Sequence, residues 1–190
     1  MLGNDYGGQD CSLAAALEVI GERWTLLIVR DAFYGVRRFN DFCAHLDIPR
    51  AVLSDRLDGL VTDGIFDRLP DPYHGGRHLY QLTAAGRDLW SVVYALLMWG
   101  HRHCHPNSRL FKHGPCGTAL DRQGACPVCD LVPAPEDIVS EPSRGTASRR
   151  DDPVAMALRA PHPLLEPLSG PLPPAGQDRP ALMRQRSRDN

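Results

Sequence analysis

The period of the apolar residues changes twice along this chain, and few folds accept that order of changes. Leu13, Leu17 and Ile20 recur at helical spacing, as do Leu26, Leu27 and Val29 after a break at Gly21, which predicts two short amphipathic helices. Asp10 stands where it can cap the first. Phe39 and Phe42, three residues apart, predict a third helix over about residues 38–46. A fourth is expected over about 49–62: Pro49 suits a first helical position, Leu53, Leu57 and Leu60 stack on one side, and Gly64 is a natural stop. Residues 65–69 and 78–82 are then short enough to be strands, and DPYHGGR between them carries the proline and paired glycines of a hairpin loop. Thr83, a good N-cap, opens a long helix reaching about His103, with Leu89, Val92, Val93, Leu96 and Leu97 on a wide apolar face. That face needs a partner.

Helix, short helix, helix, hairpin is the order of a winged helix-turn-helix, so the fold class read here is mainly α with a small β-wing. Four segments are expected: an N-terminal arm (1–10), a winged helix-turn-helix domain with its long last helix (11–105), a small zinc-ribbon-like segment (106–132) and a Pro-rich disordered tail (133–190). The tail follows from composition, since eleven of the 17 prolines fall between Pro133 and Pro180, and from about Ser140 there is no aromatic residue and no sustained period. Leu164 and Leu165 stand out there as either a docking pair or an unselected part of the tail. Trp24, Phe33, Tyr34, Phe39, Phe42, Trp90 and Trp99 read as core or dimer contacts, with a pocket between the last helix and the first two left open.

Charge and hydropathy narrow the function classes. Lys and Arg number 21 against 23 Asp and Glu, which excludes a polybasic, histone-like chain but allows a local basic patch. The longest apolar-rich stretch, residues 89–99, is interrupted by Ser91 and falls well short of the roughly 20 residues that a membrane helix needs. With no cleavable signal pattern either, a cytoplasmic location without a membrane partner is expected.

Several separated pieces resemble the HxlR family of winged helix-turn-helix regulators. They are CSLAAALEVIGERWTLLIVRDAFYGVRRFNDF, then IPRAVLSDRLDGLVTDGIFDR, then YQLTAAG, together spanning about residues 11–103. The resemblance implies a homodimeric DNA-binding transcriptional regulator with a MarR-like arrangement, in which the terminal helices pair the subunits.

Reading a major groove takes one exposed helix face, side chains for base edges and cations for phosphates. If Leu53, Leu57 and Leu60 are buried, the fourth helix turns Ala51, Asp55 and Asp58 outward, flanked by Ser54 and Val52. Arg50, at the helix start, is placed to address guanine or a phosphate, and Ser54 to bond a base or the backbone. Arg56 matches an arginine of the family's LSxRL motif and either contacts phosphate or braces the helix pair. Asp55 and Asp58 depart from the family's more basic pattern and would repel phosphates. Further cations come from Arg37 and Arg38 before the third helix and from His74 and Arg77 in the wing loop. The expected partners are therefore double-stranded operator DNA, a second copy of the chain and a small-molecule effector.

Six cysteines form no even secreted framework. Cys11, at the expected start of the first helix, is a redox-sensing candidate, because helix-terminal amides favour a thiolate; the opposing reading is a small cysteine that packs, with Asp10 opposing ionisation. It matches the family's N-terminal cysteine. His113, Cys116, Cys126 and Cys129 make H-x2-C-x9-C-x2-C, a spacing suited to tetrahedral zinc, with Gly117 allowing a tight knuckle. A histidine from His101, His103 or His105 is an alternative fourth ligand. Four protein ligands leave no position for an activated water, so the zinc would be structural. No HExxH, phosphate loop or nucleophile elbow is present, and no enzymatic role is expected. The alternative to a ligand- or thiol-controlled repressor is a metal- or redox-responsive sensor that uses the cysteine cluster as its input.

Overall fold

Leu53, Leu57 and Leu60 are all buried along one side of a single helix, as their spacing requires. The computed structural model describes residues 6, 8–105, 109–143 and 150–168. Four helices come first: α1 (Ser12–Ile20), α2 (Thr25–Phe33), α3 (Phe39–Leu46) and α4 (Arg50–Thr62). Cys11, not Asp10, is the N-cap of α1. Pro49 is the N-cap of α4 instead of its first helical residue. Gly64, at φ +73°, takes the left-handed turn that ends α4 and leads into the wing. There β1 (Phe66–Pro70) and β2 (His78–Leu82) pair antiparallel, with Phe66 opposite Leu82 and Pro70 opposite His78. A bridge between Arg38 and Leu79 fastens the wing to the start of α3.

The long helix expected after Thr83 is two helices, α5 (Ala84–Asp88) and α6 (Trp90–His103), meeting at Leu89. Thr83 does cap the first, its hydroxyl accepting from the Gly86 amide at 3.1 Å. Trp90, Val93 and Tyr94 of α6 turn into the core, whereas Val92, Leu96 and Trp99 remain on its outer side. No helix among the described residues is long and apolar enough to cross a membrane.

The C-terminal third departs from the sequence reading. Residues 133–142 and 150–168 are not a structureless tail. They carry a 3-10 turn (Pro135–Asp137), β4 (Ile138–Pro142), α7 (Pro153–Ala157) and β5 (His162–Pro163); β3 (Arg109–His113) pairs with β4, and β4 with β5, in one antiparallel sheet. Residues 144–149 and 169–190 lie outside the described residues, so the tail expectation there is not addressed. Two of the prolines that suggested disorder sit where proline is compatible with order: Pro153 opens α7 behind an Asp152 cap, and Pro163 belongs to an edge strand. The missing period also has a cause. Ile138 of β4, Val154 and Leu158 at the two ends of α7 and Leu164 just past β5 are each buried, but no two of these short segments share a period long enough to show as a repeat in sequence.

Residues 109–132 pack against the winged domain. Phe111 of β3 is buried edge-on against Trp90 (5.3 Å between centroids) and Tyr94 (5.7 Å), and Phe33 lies tilted against Trp90 at 5.1 Å. The Tyr94 hydroxyl donates to the Asp121 carbonyl at 2.7 Å, and burial foremost pushes its pKa up to about 12. One hydrophobic core therefore runs from α2 through α6 into the ribbon and on to Leu164.

Beyond β5 the chain straps back over α2. The Leu165 amide donates to the Phe33 carbonyl at 2.7 Å and the Leu168 amide to Gly35 at 3.2 Å. Gly35 is at φ +87°, and a Cβ there would lie 1.7 Å from the Glu166 carbonyl oxygen. Gly35→Ala is thus expected to destabilise the protein by more than about 1 kcal/mol and to strip hydrogen-exchange protection from the Leu165 and Leu168 amides while α2 keeps its own. Unchanged protection of those two amides would show that the strap does not depend on Gly35.

Candidate DNA-contacting surface and metal centre

The buried leucines of α4 leave Ala51, Ser54, Asp55 and Asp58 exposed, the face the sequence assigns to DNA. Arg50 is exposed at its N-terminal end, with its Nη1 donating to Asn40 Oδ1 at 3.0 Å and its guanidinium 4.9 Å above the Phe39 ring. It is held against α3 yet open to solvent. Arg56 bonds Asp55 at 2.9 Å and reaches Glu22 at 3.6 Å, so in the free protein it braces α4 against the turn between α1 and α2.

The wing is organised by Asp71, an almost wholly buried carboxylate that sequence reasoning did not single out. Its Oδ1 accepts from the Tyr73 amide at 2.9 Å, and its Oδ2 faces His74 Nδ1 at 3.1 Å and Arg38 Nε at 3.4 Å. The Tyr73 amide foremost, with His74 and Arg38, holds its pKa below the usual carboxylate range. Its one sequence signal is the Asp-Pro pair that opens the loop, an ordinary turn motif. Two of the expected DNA cations, Arg38 and His74, therefore share one anion that shapes the loop. Arg77 is exposed, and no side-chain partner for it is found among the described residues. Arg68 of β1, also missed, pairs with Asp58 at 2.9 Å and offsets one of the two carboxylates on the reading face.

Arg37 is turned inward. Its Nη2 donates to the Leu165 carbonyl at 2.8 Å, and burial lowers its pKa to about 10. The structure thus leaves Arg50 and Ser54 exposed on α4 and Arg77 exposed in the wing loop, holds Arg38 and His74 at Asp71, and places Arg37 under the C-terminal strap.

His113, Cys116, Cys126 and Cys129 converge, with one donor atom from each lying within 4.8 Å of all the others. Cys116 Sγ is 3.3 Å from His113 Nδ1 and 3.5 Å from Cys126 Sγ. A tetrahedral zinc with Zn–S of about 2.3 Å and Zn–N of about 2.0 Å separates its donors by roughly 3.5–3.8 Å, so the residues fit such an ion. His101, His103 and His105 are not in this group. The knuckle backbone is formed as well: the Gly117 amide donates to the His113 carbonyl at 2.7 Å with Gly117 at φ +68°, and the Asp130 amide to Cys126 at 2.9 Å with Asp130 at φ +54°. Hydrogen bonds from Thr118 foremost lower the Cys116 thiol to about 6, and the bond to Cys116 foremost raises Cys129 to about 11. A cluster of this kind can hold a metal ion whose charge stabilises several thiolates at once.

Cys11 is exposed at the start of α1 in the single chain. The Ala14 and Leu13 amides lower its pKa.

A helix-turn-helix whose second helix exposes a polar face beside a two-stranded wing defines the class of winged helix-turn-helix regulators. Residues 19–108 match the HxlR-like helix-turn-helix family profile. The chain is 43% identical over 137 residues to the uncharacterized HTH-type transcriptional regulator Rv3095 of Mycobacterium tuberculosis, covering 70% of this chain and 87% of that protein. Among solved structures, PA1607, a candidate transcription factor, is 38% identical with a TM-score of 0.48, covering 50% of this chain and 66% of that one. The redox regulator HypR in its reduced form is 31% identical with a TM-score of 0.44, covering 49% and 95%. The chain belongs to the HxlR-like helix-turn-helix family, and it is a transcriptional regulator of that family.

The thiols yield a comparative prediction. At neutral pH, iodoacetamide is expected to modify Cys11 faster than Cys43, whose half-buried thiol is pushed up by burial foremost. Mass spectrometry of tryptic peptides over time measures both, and faster labelling of Cys43 would contradict this account of Cys11.

Proposed function

We propose that the chain is a homodimeric repressor that reads a two-fold symmetric operator with α4 in the major groove and the wing on the flanking backbone. The observation that carries this reading is the exposed face of α4, with Arg50 at its entry and Ser54 one turn on, set beside a wing that offers Arg77. Arg50 would address a guanine edge or a phosphate, while Arg38, His74 and Arg77 would follow the backbone. Arg56 would remain the brace of α4. Arg37 would join the phosphate contacts only when it is released from Leu165.

Exposed apolar residues support the dimer. Leu13 and Leu17 of α1 and Val92, Leu96 and Trp99 of α6 form two outer faces, and Trp99 is 59% exposed. A second copy would cover them. Zinc bound by His113, Cys116, Cys126 and Cys129 would close the ribbon as a structural ion, with no open position for catalysis. A thiol-dependent input at Cys11 is supported by its exposure and its lowered pKa, and a small effector is the other form of control. The location expected for this reading is the cytoplasm.

Fluorescence anisotropy of the full chain against duplex DNA from upstream of its own gene, with scrambled competitor and a salt series, tests the reading. Arg50→Ala is expected to cost about 1–3 kcal/mol of specific binding, and Arg77→Ala to weaken binding across sequences and flatten the salt slope by about one. Unchanged affinity in both variants would refute the assigned contacts.

Metal content is a separate test. The purified protein should carry about one zinc per chain and Cys126→Ser should lose it, with the ribbon losing order first. If the cluster were instead the sensory input, zinc would leave reversibly to chelators of moderate strength and DNA affinity would follow it.

A further inference from the structure

A cleft of about 180 Å³ lies between the end of α2, the wing strand β2, α5 and the C-terminal unit. It is not the pocket considered from sequence, which would have lain between the last helix and the first two. Ala32 and Leu82 give it apolar lining, and Arg37, Gln81, Arg87 and Glu136 give it polar lining.

Two of those polar side chains are incompletely satisfied. Arg37 Nη1 and Gln81 Oε1 are buried without a hydrogen-bond partner, although buried polar groups are nearly always paired. Arg37 spends one arm of its guanidinium on the Leu165 carbonyl, and that partner is neutral. Its charge is therefore held out of water without a carboxylate among its hydrogen-bond partners. Gln81 Oε1 has the opposite need, a donor. Both residues line the cleft, but the two unpaired atoms are closed to water, so a group entering it supplies what each lacks once the side chains turn toward it.

The rim adds a second cation. Arg87 Nη1 stands 3.9 Å from Glu136 Oε1, at the outer limit of an ion pair, with both side chains substantially exposed. Glu136 holds loosely a position that a better-placed carboxylate would take. The volume is below the roughly 300–1,000 Å³ of sites for drug-sized molecules, which restricts the occupant to a small acid.

We propose that this cleft binds a small organic carboxylate that carries its own hydrogen-bond donor, such as a 2-hydroxy acid, with the carboxylate between Arg37 and Arg87 and the donor on Gln81. The cleft adjoins the residue that leads into α3, so occupancy would be felt where the DNA-reading motif begins. That consequence rests on the regulator reading above, whereas binding itself does not, and it is measured without DNA.

Isothermal titration of the full, zinc-loaded chain at fixed ionic strength, with mandelate, phenylacetate and benzylamine as probes, tests the proposal. Mandelate is expected to bind saturably, phenylacetate more weakly for want of the hydroxyl, and benzylamine not at all. Arg87→Gln, a change at an exposed rim position that leaves the fold intact, should weaken mandelate about tenfold. Glu136→Gln should tighten it about twofold by removing the competing carboxylate. Absence of saturable mandelate binding, equal binding of benzylamine, or an Arg87→Gln affinity equal to that of the native chain would overturn the assignment. A chain that binds mandelate but no operator would keep this site and refute the operator-reading mode proposed above instead.

Discussion

The packing of Phe111 against Trp90 and Tyr94, with Phe33 tilted against Trp90, is the junction on which the rest of the structure depends. Each such aromatic pair contributes about 0.5–1.5 kcal/mol beyond the area it buries, and here the pairs join elements that are far apart in sequence. Phe111 anchors β3, β3 carries β4, and β4 sets the level at which β5 and the strap cross α2. The metal-ligand group hangs from the same strand, because His113 ends β3 and its amide is held by the Thr118 carbonyl at 2.9 Å. The cysteine ribbon is thereby seated on α6, one face of which packs inward while Val92, Leu96 and Trp99 face out. Order in the ribbon and the pose of the proposed dimer helix are physically linked.

Electrostatics on the DNA side follow from which cations are already engaged. A buried Asp71 needs partners, and it draws Arg38 and His74 toward the wing loop. Asp55 and Asp58 would oppose phosphate, but each has an arginine at 2.9 Å, Arg56 and Arg68 respectively. The exposed face of α4 proposed to read DNA is therefore less negative than its carboxylates alone suggest. At the other edge of the motif, α7 docks on α3 through Asp152 with His45 at 3.0 Å and through Arg150, which bonds Asp47 at 2.8 Å and the Ala44 carbonyl at 2.9 Å. The C-terminal unit thus grips both ends of α3: its start through Arg37 and its finish through Asp47.

The winged part was legible because its signals are local. The leucines of α4, the left-handed Gly64, the Asp-Pro-to-Gly-Gly loop and the Thr83 cap each act within a few residues, and each falls where its chemistry predicts. The break of α5 from α6 at Leu89 gave no such signal, since no proline or glycine stands there. That His113, Cys116, Cys126 and Cys129 come together was legible for a related reason, because their two short spacings each bring a pair of side chains to one turn. The order of residues 133–142 and 150–168 was not legible. Those short strands and the five-residue α7 owe their stability to contacts with α2, α3 and β3, and composition cannot report contacts made across more than a hundred residues. The burial of Arg37 was hidden for the same reason: its partner, Leu165, is 128 positions away.

The measurement closest to the central claim is a methylation-protection footprint of the full chain on the duplex it binds. Two symmetric patches of guanine N7 protection, with centres about one helical turn (10–10.5 base pairs) apart or slightly more, are the predicted result, since two copies of α4 would then occupy successive major grooves on one side of the DNA. A single patch, or protection confined to the sugar-phosphate backbone, would contradict a dimer that reads its operator through α4.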